Sequence, residues 1–215
     1  MPGVAQVKVA AAALVVVFAA AGIAAEGPLV QFTRSWPQTE PPYVDIRVSR
    51  NGDAEYRESP TEEPLKFRIT EAEAASVFAL VENLDRFKRP LESNLKVAKT
   101  GVKTFRYEHG TEKNEVQFNY SLDADAAALL DWFERVMLTE RSLLHLDRAS
   151  RYDRLGVNKV LLELEMAHGR AQLVAPQQFI PILERIAKNT GYMHMARERA
   201  AKLAETFRQA GAASQ

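Results

Sequence analysis

The sequence predicts an α+β fold, with an antiparallel sheet carrying one packed helix, followed by an all-helical C-terminal half of stacked helical hairpins. Three observations predict it. Apolar residues alternate with period two in several segments between Tyr43 and Tyr120, one capped helical pattern lies among those segments, and beyond Asp123 only helical spacing remains. The chain divides accordingly into residues 1–25, a signal peptide; 26–42, a Pro-rich lead-in; 43–122, the sheet with its helix; and 123–215, a helical region packed on the first.

The lead-in holds Pro28, Pro37, Pro41 and Pro42 with few regularly spaced apolar residues and reads as irregular. Trp36 is its one large side chain and is expected to pack back onto the domain. From Tyr43 the pattern becomes strict alternation, with Val44, Ile46 and Val48 on one face and Asp45, Arg47 and Ser49 on the other, which is a half-buried strand. Asn51-Gly52 accepts the positive φ angles of a tight turn, and Ala54 to Arg57 is the returning strand. Leu65, Phe67 and Ile69 form a third strand that runs into Thr70-Glu71-Ala72-Glu73. There the Thr70 side chain accepts from the helix start while Glu73 reaches back, a capping box. Val77, Phe78, Val81 and Leu84 then lay one helical stripe on the sheet, and the helix stops before Pro90. Val102 to His109 and Glu115 to Tyr120 alternate again around Gly110-Thr111-Glu112-Lys113, which predicts a hairpin with a four- or five-residue loop.

Past Asp123, Leu129, Trp132, Phe133, Val136 and Met137 make an apolar stripe that Leu143, Leu144 and Leu146 continue, in one long helix or a broken pair. Further helices are expected over 157–167, 176–188 and 192–208. Pro176 suits a first helical turn, whereas Pro181 bends that helix or delays its start. Phe133 and Val136 imply that the two halves share a core. No internal period marks a helical-repeat array.

The first residues combine Lys8, an apolar run from Val9 to Ala21 and the small-residue exit Gly22-Ile23-Ala24-Ala25, the three parts of a secretory signal, with cleavage expected between Ala25 and Glu26. The alternative is an uncleaved anchor, which wants a longer apolar run and a more basic flank. The expected address is periplasmic or extracellular, with no membrane contact after the signal is removed. The chain has no cysteine, which excludes disulfides, thiolate chemistry and a lipid-modified cysteine. Its 28 basic and 28 acidic side chains balance, so no overall field favours a polyanion, and nucleic acid is not expected as a partner.

Motifs for catalysis are missing from the sequence: no Gly-x-Ser-x-Gly, no Ser-x-x-Lys, and no Gly-rich phosphate loop between strand and helix. No catalytic or cofactor residue is assigned, and no cofactor is expected. Metal ligands would come from His109, His145, His168 and His194. The most suggestive group is Met193-His194-Met195, whose thioether and imidazole donors suit copper in an exported protein, but neighbours on a helix do not face one ion, and no metal site is assigned. Glu71 with Glu73 and Glu163 with Glu165 are carboxylate pairs of the solvated-face kind. Arg197, Glu198, Arg199, Lys202 and Glu205 read as salt-bridge lacing along one helix. The stretch Asn94 to Lys103 has three lysines and a Thr-Gly turn. It reads as a solvated loop that blunts an edge strand, with binding of an anion or an acidic peptide as the alternative.

Pro42-Tyr43, the strand to Val48, Asn51-Gly52-Asp53-Ala54-Glu55-Tyr56, the helix from Thr70 and the strand from Val102 to Phe105 together resemble a family of uncharacterised exported bacterial domains. The likeness covers residues 41–136: a Pro-Tyr strand, a Gly-x-x-x-Tyr hairpin, one helix and a later hairpin. Members often carry cysteine just before the Pro-Tyr, where this chain has Pro41, and the resemblance implies no activity. The expectation is a non-catalytic protein-binding or scaffolding module of the bacterial cell envelope, with an envelope protein as partner. The alternatives are an exported hydrolase whose site assembles only in three dimensions, and a copper-handling protein using Met193, His194 and Met195.

Overall fold

The computed structural model describes residues 27–213, with side chains to Gly211, and the expected signal with its cleavage point at Ala25 and Glu26 lies outside them. Six strands form one antiparallel sheet: β1 (Leu29–Ser35), β2 (Tyr43–Ser49), β3 (Asp53–Arg57), β4 (Leu65–Arg68), β5 (Val102–His109) and β6 (Glu112–Phe118). Their order across the sheet is β4-β3-β2-β1-β5-β6. The chain meanders outward from β1 to β4, and α1 (Glu71–Asn83) with the segment after it carries it back across to the β5–β6 hairpin on the other side of β1.

β1 corrects the sequence reading. The lead-in of residues 26–42 contains an interior strand, paired along its length with both β2 and β5. Val30 and Phe32 enter the core while Leu29, Gln31 and Thr33 face the other way. Pro28 and Pro37 bracket this strand without interrupting its ladder, so they mark its limits and do not forbid it. The β5–β6 hairpin is also tighter than expected. His109 pairs with Glu112 across a two-residue turn in which Gly110 has φ 58°. The β2–β3 turn depends on Gly52 at φ 87°, whose N–H donates to Ser49 O and whose carbonyl accepts from Ile69 N at 2.9 Å. A Cβ there would lie 2.6 Å from Ile69 O, so both the angle and the space require glycine.

The capping box at Thr70 forms as expected, with Glu73 N donating to Thr70 Oγ1 and Thr70 N to Glu73 Oε2. Beyond α1 the chain makes a short left-handed turn, Asp85, Arg86 and Phe87 all having φ between 51° and 65°. It seats Phe87 on Phe105, with ring centroids 5.3 Å apart.

The helical half consists of α2 (Ala124–Tyr152), α3 (Val157–Gly169), α4 (Ile180–Lys188) and α5 (His194–Ala213). Among the described residues, no helix is long and apolar enough to cross a membrane. Pro176 opens a single 3-10 turn and Pro181 falls in the first turn of α4, where neither removes an intrahelical bond. α2 is one continuous helix of 29 residues serving two cores. Its first half packs on the sheet, where Phe133 stacks on Phe32 of β1 at 5.0 Å. Its second half gives Leu146 and Ala149 to a separate core with Leu161, Leu183, Ala200 and Phe207. Between the cores lies a polar seam. Thr139 Oγ1 accepts from Val174 N at 3.0 Å, and buried Glu140 accepts from Gln178 Nε2 at 2.8 Å.

Candidate functional site

The chain from Leu91 to Gly101 forms neither helix nor strand, yet it is tied to the chain just after β6, by Ser93 N donating to Tyr120 O at 2.8 Å and chiefly by Asn119. Asn119 N donates to Glu92 Oε2 at 2.6 Å, its Nδ2 donates to Ala98 O at 3.1 Å, and its Oδ1 accepts from Thr100 N at 2.9 Å. Its carbonyl accepts from Lys103 Nζ at 2.8 Å, and the same ammonium donates to Thr100 Oγ1 at 2.8 Å. An asparagine side chain has both an acceptor and two donors, which lets this one hold both the N–H and the C=O sides of the loop.

Lys103 corrects the reading of the lysine-rich stretch as solvated. Lys96 and Lys99 are exposed, but Lys103 is 7% exposed, on the helix-covered face of β5 opposite Phe118 and Arg34. Burial lowers its pKa, helped by the Arg34 charge and opposed by Glu134 and Glu92. Glu92 is in turn held below the usual carboxylate range, chiefly by the Asn119 N–H. The sequence signal was available: Lys103 shares the parity of Phe105 and Tyr107 in the β5 alternation.

Held in this way, the loop is a wall between two depressions. On the open face of the sheet is a groove of about 740 Å³, lined by Trp36, Pro37, Leu95, Val97 and Val102, with Gln117 and Asn119 at its floor. Leu95, Val97 and Val102 are exposed large apolar side chains gathered into that groove. Gly101 makes it possible. At φ 93° it brings the loop so close to β1 that a Cβ would lie 2.7 Å from Trp36 Cβ and 2.8 Å from Ser35 O. Trp36 therefore does pack back, as expected, while still lining the groove.

On the helix side of the wall is a second cleft of about 400 Å³, where Lys103, Phe118 and Tyr120 face Ala127, Leu130 and Glu134 of α2. Shared lining residues continue it along α2 through Asp131 and Leu138 to a smaller hollow at Ser142, His145 and Glu163.

No protein-family model, no curated protein and no solved structure matches this chain. The site must be interpreted from its own geometry.

Ser142, His145 and Glu163 are the residue types of an acyl-transfer triad, but Ser142 Oγ donates to Leu138 O within its own helix at 2.8 Å. Among the described residues, none of the three is hydrogen-bonded to another. Glu71 and Glu73 sit in the first turn of α1, and Glu163 and Glu165 are drawn toward Lys159 and toward Arg199 with Lys202 respectively. The charges of α5 are laced between helices more than along one: Arg199 reaches Glu165 on α3, Arg208 reaches Glu184 on α4, and Arg197 Nε donates to Ala187 O.

His109 is exposed at the β5–β6 turn, His145 lines the α2 hollow, and His168 lies edge-on to Phe207. Met193, His194 and Met195 are all exposed at the start of α5. His194 Nε2 is 3.2 Å from Glu198, and Met195 Sδ accepts from Asn158 at 3.5 Å. Among the described residues, no group of three or more His, Asp or Glu is placed to hold a metal ion.

Proposed function

We propose that this protein is an exported, non-catalytic module of the bacterial cell envelope that binds a partner protein, and that the Trp36 groove is its binding surface. The observation that carries the reading is the apolar groove itself. Leu95, Val97 and Val102 stay exposed beside Trp36 because Asn119 and Lys103 hold the loop in one place. A prearranged groove avoids the ordering cost that a mobile loop would bring to association, and tryptophan is the side chain most often dominant in such contacts. Lys96 and Lys99, which form no ion pair among the described residues, stand at the same loop. The partner segment is therefore one that inserts an apolar anchor and carries carboxylates beside it.

Export rests on the leader that ends at Ala25, and N-terminal sequencing of the processed protein tests it. Binding is tested by affinity capture from envelope extract with the protein beginning at Glu26, in wild-type and Trp36→Ala form, followed by titration of the captured partner. A stoichiometric partner whose affinity falls at least tenfold with Trp36→Ala supports the groove. Equal capture by both forms sinks it, as does capture by neither.

A further inference from the structure

Folding concentrates at one end of the helical half a set of side chains that are scattered in sequence. The α2–α3 turn and the α4–α5 turn lie side by side there. Tyr192 Oη donates to Ser150 O at 2.6 Å, Asn158 Nδ2 donates to Met195 Sδ at 3.5 Å, and the Arg154 guanidinium lies against Gly191. The two most exposed large hydrophobic side chains of the described residues are Tyr152 at 82% and Leu155 at 78%, and both are on this end with Met195 at 60% and Met193 at 44%. Neither core needs them.

This end also carries a local excess of positive charge. Residues 147–159 and 188–198 hold six lysines and arginines against three carboxylates, in a chain whose net charge is zero. The guanidiniums of Arg148 and Arg154 are in no ion pair among the described residues, while Arg151 is paired with Asp147 and Lys159 stands 3.9 Å from Glu163. Unpaired arginines around a protruding tyrosine, leucine and two methionines form an arrangement with two complementary demands, an anionic plane for the cations and an apolar layer just beneath it. A lipid bilayer with anionic headgroups supplies both. Tyrosine favours the headgroup depth, Leu and Met enter the acyl boundary, and arginine side chains reach phosphates.

We propose that this end of the helical bundle docks reversibly on an anionic membrane surface, through Tyr152, Leu155, Met193 and Met195 inserted among phosphates held by Arg148 and Arg154. No second apolar run long enough to span a bilayer follows the leader, and on that ground the sequence predicts no membrane contact after signal removal. The zero net charge is a whole-chain average, and the apposition of the two turns adds the small excess of residues 188–198 to that of residues 147–159. The site is separate from the Trp36 groove, so either can fail alone.

The experiment is vesicle flotation with the protein beginning at Glu26. Among the described residues every core side chain lies between Val30 and Phe207, so this form keeps both described cores and lacks the apolar leader that would bind lipid by itself. Vesicles of phosphatidylcholine alone are compared with vesicles containing roughly one-third phosphatidylglycerol, at low and high salt. Binding to the anionic vesicles only, weakened by salt, is expected. Loss of each cation should weaken it about fivefold, so Arg148→Gln with Arg154→Gln should cost about 25-fold. Tyr152→Ser with Leu155→Ser should abolish flotation without shifting the thermal transition, since both side chains are exposed, whereas Trp36→Ala should leave it unchanged. No flotation with anionic vesicles overturns the proposal, as does binding that these substitutions leave intact. Retention of the protein on an acidic polypeptide with no vesicle binding also overturns it, in favour of a protein partner for this end.

Discussion

Lys103 Nζ and the carbonyl oxygen of Asn119 lie 2.8 Å apart at the edge of the sheet core, and this contact joins the buried cation to the residue that pins the 91–101 loop. The ammonium has a second acceptor in Thr100 Oγ1, so one buried charge ties both ends of the loop's last turn to β6. A hydrogen bond to a charged group contributes about 1.5–3 kcal/mol, which compensates in part for removing the ammonium from water.

Replacing Asn119 by alanine should release the loop while leaving the sheet intact. The Thr100 N–H and the Ala98 carbonyl lose their partners, at a cost of about 1–2 kcal/mol in global stability. Hydrogen exchange should show the Thr100 amide losing protection while the β1 and β5 amides keep theirs. Uniform loss across the sheet would mean that the loop is part of the folding core.

Gly101→Ala should disturb the Trp36 groove directly. The new Cβ would meet Trp36 and the Ser35 carbonyl, and φ 93° is unfavourable for alanine, so the loop must move away from β1. We expect a loss of about 2 kcal/mol or more in stability and a red shift of the Trp36 fluorescence, isolated in a Trp132→Phe background. An unchanged spectrum and stability would show that the loop is not held against Trp36.

Glu140 makes stability depend on pH. It is 1% exposed, one of its oxygens has no donor among the described residues, and burial pushes its pKa up from 4.5 to about 7, against the lowering effect of Gln178. Between pH 4.5 and 7 the folded state keeps a proton that the unfolded state has released. This contribution to stability is full below pH 4.5, falls as pH rises to 7 and levels off above it, by on the order of 3 kcal/mol. Glu140→Gln should remove that slope and be more stable than wild type at pH 8, which urea titrations at a series of pH values will show. An unchanged slope would place the pH dependence elsewhere.

Phe133→Ala tests whether the two cores form one cooperative unit. The substitution removes the ring stacked on Phe32 and should cost about 3–5 kcal/mol. Because α2 runs through both cores, the transition should shift as a whole, with Trp132 fluorescence and helical circular dichroism changing together. Two separate transitions would show that the polar seam at Thr139 and Glu140 divides the molecule.

Much of the fold was legible because it is local. The alternation in β2, the glycine turn after it, the Thr70 capping box and the helical spacing beyond Asp123 each depend on residues within a few positions of one another, and all appear where the sequence places them. β1 is not legible in the sequence because Pro28 and Pro37 stand close on either side of a strand of only seven residues, and no local feature reveals that a strand has a neighbour on each side. The candidate groove was less legible still. Trp36 and the lysine-rich stretch stood out in the sequence, but their apposition across Gly101 is separated by some 65 positions.

By itself the sequence determined the secondary structure class, the faces of most strands and helices, and the absence of thiol chemistry, because backbone geometry converts residue spacing into facing side chains. Tertiary structure decided the rest. It set which strand lies inside the sheet, made Lys103 a buried cation, let one helix serve two cores, and collected unpaired arginines and exposed apolar groups at one end of the bundle. These are consequences of long-range packing, in which the environment of a side chain is made by residues far away in the chain, and spacing along the sequence carries no record of it.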